Sequence, residues 1–190
     1  MILLASQSPR RAMLLQQLSV PFEVVNIEFD ETPLENENAE CYVLRMAEGK
    51  ALQGVASTDS SLPVLGADTS VVDELGILGK PNNKADAVAM LKRLSNKPHQ
   101  VLTAIAIADK NGVKSQLIST TVYFKALLDA EIDWYWYTGE PADKAGSYGI
   151  QGLGGQFVTH IHGSYSAVVG LPLYETAMLL NAVGINLHER

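Results

Sequence analysis

The sequence predicts an α/β fold, and three observations carry that reading. A short apolar strand, Ile2 to Ala5, is followed by a polar loop and then a helix to about Leu18. Val101 to Ala108 is almost entirely apolar, as expected of a central strand covered on both faces. Helical stripes separate the strand-like runs: Leu44, Ala47, Ala51 and Val55 within 39–56, then Ala87, Met90, Leu91 and Leu94 within 84–95.

The chain has 190 residues, 47% hydrophobic and 18% charged, enough for one well-packed domain or two small lobes. A net charge of -7 argues against a protein that coats nucleic acid. It leaves room for a small anionic ligand held by a few local cations. Cys41 is the only cysteine, so no intrachain disulfide forms, which suits a reducing compartment. The first apolar residues are too few for a signal peptide, and Arg10 and Arg11 follow rather than precede them. No apolar run approaches the roughly 20 residues of a membrane span. The expectation is a cytoplasmic protein with neither membrane nor nucleic-acid partners.

Taken in order, Ser8 is placed to cap the first helix and Pro9 suits its first position. The free N–H groups there, with Arg10 and Arg11 beside them, suit a phosphate. Phe22 to Ile27 reads as a second strand. Glu28, Asp30 and Glu31 then form an acidic cluster, either a solvated loop or ligands for a hard divalent cation. Lys50 borders the apolar stripe of the next helix, either solvated or turned inward. Between Pro63 and Pro81, two strand-like runs flank a turn at Asp73 to Gly76. Asp68 interrupts the first run, and a carboxylate there is costly unless something polar meets it. Such a hairpin brings Lys80 toward Asp68, as a structural ion pair or a shared site.

Asn111-Gly112 is the strongest hairpin-turn dipeptide in the chain. The strand from Val113 to Ala126 follows, and Asp129 is expected to cap a helix ending near Tyr137, whose aromatic run suits packing. The glycine-rich stretch 145–155 lacks the Lys-Ser/Thr ending of a P-loop. Its glycines let backbone approach a ligand, and Gln151 among them can both donate and accept hydrogen bonds. A strand from Phe157 to Ile161 follows, with His160 and His162 at same-face spacing. Gly163 to Pro172 reads as a second turn-rich loop, and the last helix runs from Leu173 to Ala182.

Six islands now stand in order: Ala5-Ser-Gln-Ser-Pro-Arg-Arg11, Asp30-Glu31, Lys50-Ala51, Gly66-Ala-Asp-Thr69 with Gly79-Lys-Pro81, Asp143-Lys-Ala-Gly146 through Gly155, and Gly163 to Pro172. As an ordered set covering nearly the whole chain, they resemble the Maf family of nucleotide pyrophosphatases. The resemblance implies an elongated mixed β-sheet flanked by helices, one domain of two lobes around a central cleft, as in the ITPase-like enzymes. It implies hydrolysis of a nucleoside triphosphate to the monophosphate and pyrophosphate with a divalent metal, magnesium or manganese. Asp68 matches the family's catalytic proton acceptor. Glu31, Lys50 and Lys80 match polar residues of the cleft. Arg10, Thr69 and Gln151 match the positions that separate the subfamilies, and here resemble the branch acting on dTTP and UTP. The 7-methyl-GTP branch typically carries Trp, Gln and Glu instead. Gly49 departs from the pattern, since many relatives place Glu or Gln before the lysine, and glycine costs ~1 kcal/mol of helix propensity.

In chemical terms, Ser8, Arg10, Arg11, Lys50 and Lys80 are the expected phosphate-binding set, and Glu31 with Asp68 the metal-binding pair. Asp68 is expected to activate a water toward the α-phosphorus. Gln151 can donate to O4 and accept from N3–H of uracil or thymine, a pattern that cytosine reverses. The alternatives are the same chemistry on 7-methyl-GTP, or a non-catalytic nucleotide-binding regulator of septum formation. A homodimer is compatible with the sequence.

Overall fold

The computed structural model describes residues 1–187. Seven strands form one mixed sheet: β1 (Ile2–Ala5), β2 (Phe22–Val24), β3 (Val64–Asp73), β4 (Gly76–Leu78), β5 (Pro98–Asp109), β6 (Gly112–Phe124) and β7 (Val158–His162). Their order is β2-β1-β3-β5-β6-β7, with β4 paired to β3. Among the described residues six α-helices accompany them: α1 (Pro9–Gln17), α2 (Ala39–Ala56), α3 (Lys84–Leu94), α4 (Asp129–Tyr137), α5 (Tyr165–Val169) and α6 (Leu173–Ala182). The α/β expectation holds. Among the described residues no helix is long and apolar enough to cross a membrane.

The chain divides into two compact units, and β3, β5 and β6 each contribute residues to both. The first unit comprises Met1–Asp68, Thr103–Ile118 and the segment from Gly170 onward. Here β1 runs parallel to both β2 and β3, with Leu3 opposite Val64 and Ala5 opposite Gly66. Leu3, Ala5 and Val64 are buried against Val25, Ile27, Val55 and Leu62. Asn38 caps α2 by accepting from the Cys41 amide at 2.8 Å. The buried face of α2 is Val43, Met46, Ala47, Lys50, Ala51 and Gly54. Leu44 and Val55, expected inward, are only half-buried, so the face is rotated toward Lys50. β2 stops at Val24, short of the expected Ile27, whose side chain still packs on the core.

The second unit comprises Thr69–Leu102 and Ser119–Val169. The β3–β4 hairpin forms as expected, Val71 opposite Leu78 and Asp73 opposite Gly76. Arg93 of α3 grips both carboxylate oxygens of Asp73 at 2.5 and 2.8 Å, which fastens α3 to that hairpin. The core gathers Val71, Leu91, Leu94, Phe124, Ile132, Tyr135 and Phe157. Tyr135 and Phe157 meet edge to face with ring centroids 5.0 Å apart. The aromatic run therefore divides: Tyr135 is buried, while Trp134 and Tyr137 are exposed.

Four local expectations need correction. The β5–β6 turn is Lys110-Asn111, with Gly112 already opening β6 at a φ of +130° and Asp109 accepting from the Asn111 amide. Leu128, not Asp129, is the cap residue of α4, because Glu131 reaches back to the Leu128 amide at 3.0 Å. β7 begins at Val158 rather than Phe157, whose ring is fully buried in the core. Gly163 to Pro172 is not loop throughout, since Ser164 Oγ accepts from the Ala167 amide and starts α5. The two histidines of β7 are exposed, and the His160 ring stacks on Tyr123 at 3.9 Å.

Candidate active site

In the first unit the site grows from one missing side chain. A Cβ at Gly66 would stand 2.4 Å from the Ala47 carbonyl oxygen and 2.6 Å from the Ala51 amide. Only glycine lets the backbone of α2 lie this close to β3. Asp68 is two residues along the strand from Gly66 and so faces the same side. Lys50 lies between Ala47 and Ala51 in α2, and its ammonium reaches Asp68 Oδ1 at 2.7 Å. The same nitrogen reaches Glu31 Oε1 at 2.6 Å. The side chains of Lys50 and Asp68 are only 11% and 14% exposed, whereas Glu31 is 57% exposed. Lys50 is therefore neither solvated nor idle: one ammonium joins two carboxylates from distant parts of the chain.

The loop that carries Glu31 is stapled to one stripe of α2. The Tyr42 hydroxyl donates to the Glu31 carbonyl at 3.0 Å, and Arg45 donates to the Thr32 carbonyl at 3.1 Å. Arg45 also holds Glu37 by two bonds of 2.6 Å, which pull the Glu37 pKa down to about 2. Gly49 completes the stripe. A Cβ there would lie 2.0 Å from Cζ of Phe29, so the Phe29 ring occupies the place a side chain would take. That accounts for the glycine at this position.

The loop after β1 leaves the carboxyl end of that strand, where its parallel pairing with β3 stops at Ala5 and Gly66. Ser6 organises it. Its hydroxyl accepts from the Ser8 amide at 3.3 Å and from Arg11 Nη1 at 3.1 Å. Arg11 Nε donates to the Gly170 carbonyl at 3.0 Å. Burial lowers the Arg11 pKa, and the nearby charges of Asp68 and Glu31 oppose that drop. Ser8 occupies the cap position of α1, but its side chain makes no capping bond. Arg10 follows in the first turn, half-buried. Thus Glu31, Lys50 and Asp68 are brought into contact, and Arg11 stands within their field. Ser6 was not singled out from sequence, although it sits inside the first motif.

The second unit holds Thr69, Lys80 and Gln151. Thr69 follows Asp68 directly on β3. Lys80 is exposed just past β4, and the carbonyl of the preceding Gly79 accepts from the Gly146 amide at 3.1 Å. Gln151 is exposed on a tight turn in which the Gly152 amide donates to the Gly149 carbonyl at 3.3 Å. The glycine-rich stretch is short 3-10 turns, with Gly146 at a φ of +68°. One residue that sequence reasoning passed over underlies that turn: Glu140 accepts from the amides of Leu153 and Gly154 at 2.8 and 3.0 Å.

A family model described as "Maf-like protein" matches residues 1–183. The chain belongs to the Maf family. Its similarity to curated Maf relatives is high and spans both chains. It is 54% identical over 97% of this chain to the "dTTP/UTP pyrophosphatase" of Pseudoalteromonas atlantica, covering 98% of that protein. It is 56% identical over 94% of this chain to the one of Pseudoalteromonas translucida, covering 95% of it. Among solved structures it is similar to the Staphylococcus aureus Ham1 protein, with 14% identity and a TM-score of 0.47 over 65% of this chain and 71% of that one.

For this Maf protein, the donor set bears on a metal. Glu31 and Asp68 present hard oxygens converging on the Lys50 ammonium, a donor set of the kind a hard divalent cation takes. Among the described residues no three His, Cys, Asp or Glu side chains cluster as a closed cage. Two carboxylates on one centre fit a hard divalent cation and do not by themselves form a closed cage.

Proposed function

We propose that this protein is a nucleoside triphosphate pyrophosphatase that cleaves dTTP and UTP to the monophosphate and pyrophosphate. The single observation that carries the chemistry is the Glu31–Lys50–Asp68 constellation, half-sunk beside the loop that opens α1. Relatives more than 50% identical over nearly the full chain are dTTP/UTP pyrophosphatases by name, which supports the substrate class.

Lys50 holds Asp68 Oδ1 and so fixes the orientation of that carboxylate. Oδ2 is the atom we assign to an incoming water, whose proton it accepts as the oxygen attacks the α-phosphorus. A triphosphate brings about four negative charges at neutral pH, and Ser8, Arg10, Arg11, Lys50 and Lys80 are the residues assigned to its phosphates. Glu31 and Asp68 would hold a divalent cation, which when bound neutralises phosphate charge and polarises the scissile phosphoryl group. Arg10, Thr69 and Gln151 set the choice of nucleotide, with the Gln151 amide reading O4 and N3–H of the pyrimidine. The contribution of the protein is chiefly positioning and electrostatic stabilisation. The exposed, unbridged Cys41 suits a cytoplasmic setting.

The test is a substrate panel of dTTP, UTP, CTP and 7-methyl-GTP with wild type and Asp68→Asn. The reading expects dTTP and UTP to be turned over well and CTP poorly. It also expects Asp68→Asn to lose at least about 100-fold in kcat, the usual scale for a general base. Equal turnover of 7-methyl-GTP, or an active Asp68→Asn, contradicts it.

A further inference from the structure

The turn that carries Gln151 rests on a carboxylate belonging to another segment. Glu140 begins the 3-10 turn after α4, at residues Glu140–Asp143. Its Oε2 accepts from the Leu153 amide at 2.8 Å, and its Oε1 from the Gly154 amide at 3.0 Å and the Tyr135 hydroxyl at 2.7 Å. The Tyr135 oxygen in turn accepts from the Gly149 amide at 3.2 Å. The two residues thus take three backbone N–H groups from the two sides of Gln151. Lys144 donates to the Glu140 carbonyl at 2.8 Å and closes the base of the clamp.

The glycines of this turn are shaped to the clamp. A Cβ at Gly152 would lie 2.3 Å from Glu140 Oε2, and one at Gly154 would lie 2.5 Å from the Tyr135 hydroxyl. Burial raises the Glu140 pKa, but the bonds from Gly154, Tyr135 and Leu153 outweigh it and keep the group below its usual range. Gln151 itself is exposed, so the backbone beneath it sets where its side chain leaves the turn and what its amide can reach. An amide reads a pyrimidine only if its oxygen and nitrogen are held in one order, because the reversed order suits cytosine.

We infer that Glu140, with Tyr135, is a positioning residue for base selection: it holds the Gly149–Gly154 turn in the one shape that aims the Gln151 amide. This rests on the reading of Gln151 as the base reader. Glu140 touches no substrate in this account and acts through Gln151.

The experiment compares kcat/KM for UTP and CTP in Glu140→Gln, Glu140→Asp, Tyr135→Phe, Gln151→Ala and the double variant Glu140→Gln/Gln151→Ala. Amide hydrogen exchange is followed at residues 149–154. Glutamine at 140 puts an NH₂ group against one backbone N–H, so a donor faces a donor. The expected result is a fall of about tenfold or more in the UTP-to-CTP ratio, chiefly through KM, with faster exchange at Leu153 and Gly154. Glu140→Asp should recover part of the ratio, and Tyr135→Phe, which keeps both bonds to Glu140 from the turn, should lose less. In the Gln151→Ala background Glu140→Gln should reduce the ratio no further. If Gln151→Ala loses the ratio while Glu140→Gln keeps it, the base reading stands and this inference falls. If Gln151→Ala keeps the ratio, the base reading itself fails and takes this inference with it. If Glu140→Gln does not fold, Tyr135→Phe and Glu140→Asp decide: wild-type ratios in both overturn the clamp.

Discussion

Replacing Lys50 with methionine keeps most of the side-chain volume and removes the ammonium that joins Asp68 to Glu31. Both carboxylate oxygens lie within 2.7 Å of that nitrogen, so they face each other across a short gap. At roughly 5 Å and an effective dielectric of about 20, two such charges repel by about 3 kcal/mol. Removing one member of a buried pair costs about 3–5 kcal/mol. Two features reduce that here: Glu31 is half in solvent, and Arg11 stays within the field of both carboxylates. A loss of about 2–3 kcal/mol is expected, which for a chain of this size lowers Tm by about 5–10 °C. Because a divalent cation can take the ammonium's place between the oxygens, manganese should restore part of that loss in Lys50→Met and do less for wild type. Glu31→Gln is the companion variant. Glu31 is itself largely exposed, so the change should cost under about 1 kcal/mol and abolish the manganese effect. Differential scanning fluorimetry with and without manganese reads all of this. A Lys50→Met protein that melts like wild type, and does so regardless of cation, refutes the facing-carboxylate geometry.

Two further outcomes follow from packing and burial. Gly66→Ala places a methyl against the Ala47 carbonyl and Ala51 amide, both rigid helix backbone, and should cost about 1–3 kcal/mol in urea unfolding, with turnover reduced as Lys50 shifts from Asp68. His99 is buried with Nε2 against the Tyr148 hydroxyl at 2.8 Å, and burial pulls its pKa from 6.5 to about 4. The unfolded chain therefore takes up the proton first. The stability tied to neutral His99 is whole above about pH 6.5 and is lost as pH falls toward 4. Between pH 7 and pH 5 wild type should lose about 2 kcal/mol more than His99→Gln, and equal losses in paired denaturant titrations would contradict the burial.

Much of the fold was legible because local signals agreed. The apolar stripe marked α2, and the almost entirely apolar run in β5 marked a strand buried on both faces. Where local signals were weak, tertiary contacts decided. The five-residue α5 hides between glycines and a proline, and its start depends on the Ser164 hydroxyl. Leu128 is no cap by composition, and becomes one only because Glu131 folds back onto it. Asp68 was legible as a charge in an apolar run, but its contact with Lys50 was not. A hairpin argument pointed to Lys80; the close approach of α2 at Gly66 brings Lys50 to Asp68. Glu140 left no local trace, because its bonds run to amides 13 and 14 residues away.

The central claim is that water attacks the α-phosphorus of UTP and that pyrophosphate leaves intact. Turnover of UTP with magnesium in oxygen-18-labelled water, read by phosphorus NMR and mass spectrometry, tests it directly. The account predicts one labelled oxygen in UMP and none in the released pyrophosphate. Label in pyrophosphate, or release of orthophosphate, would contradict it.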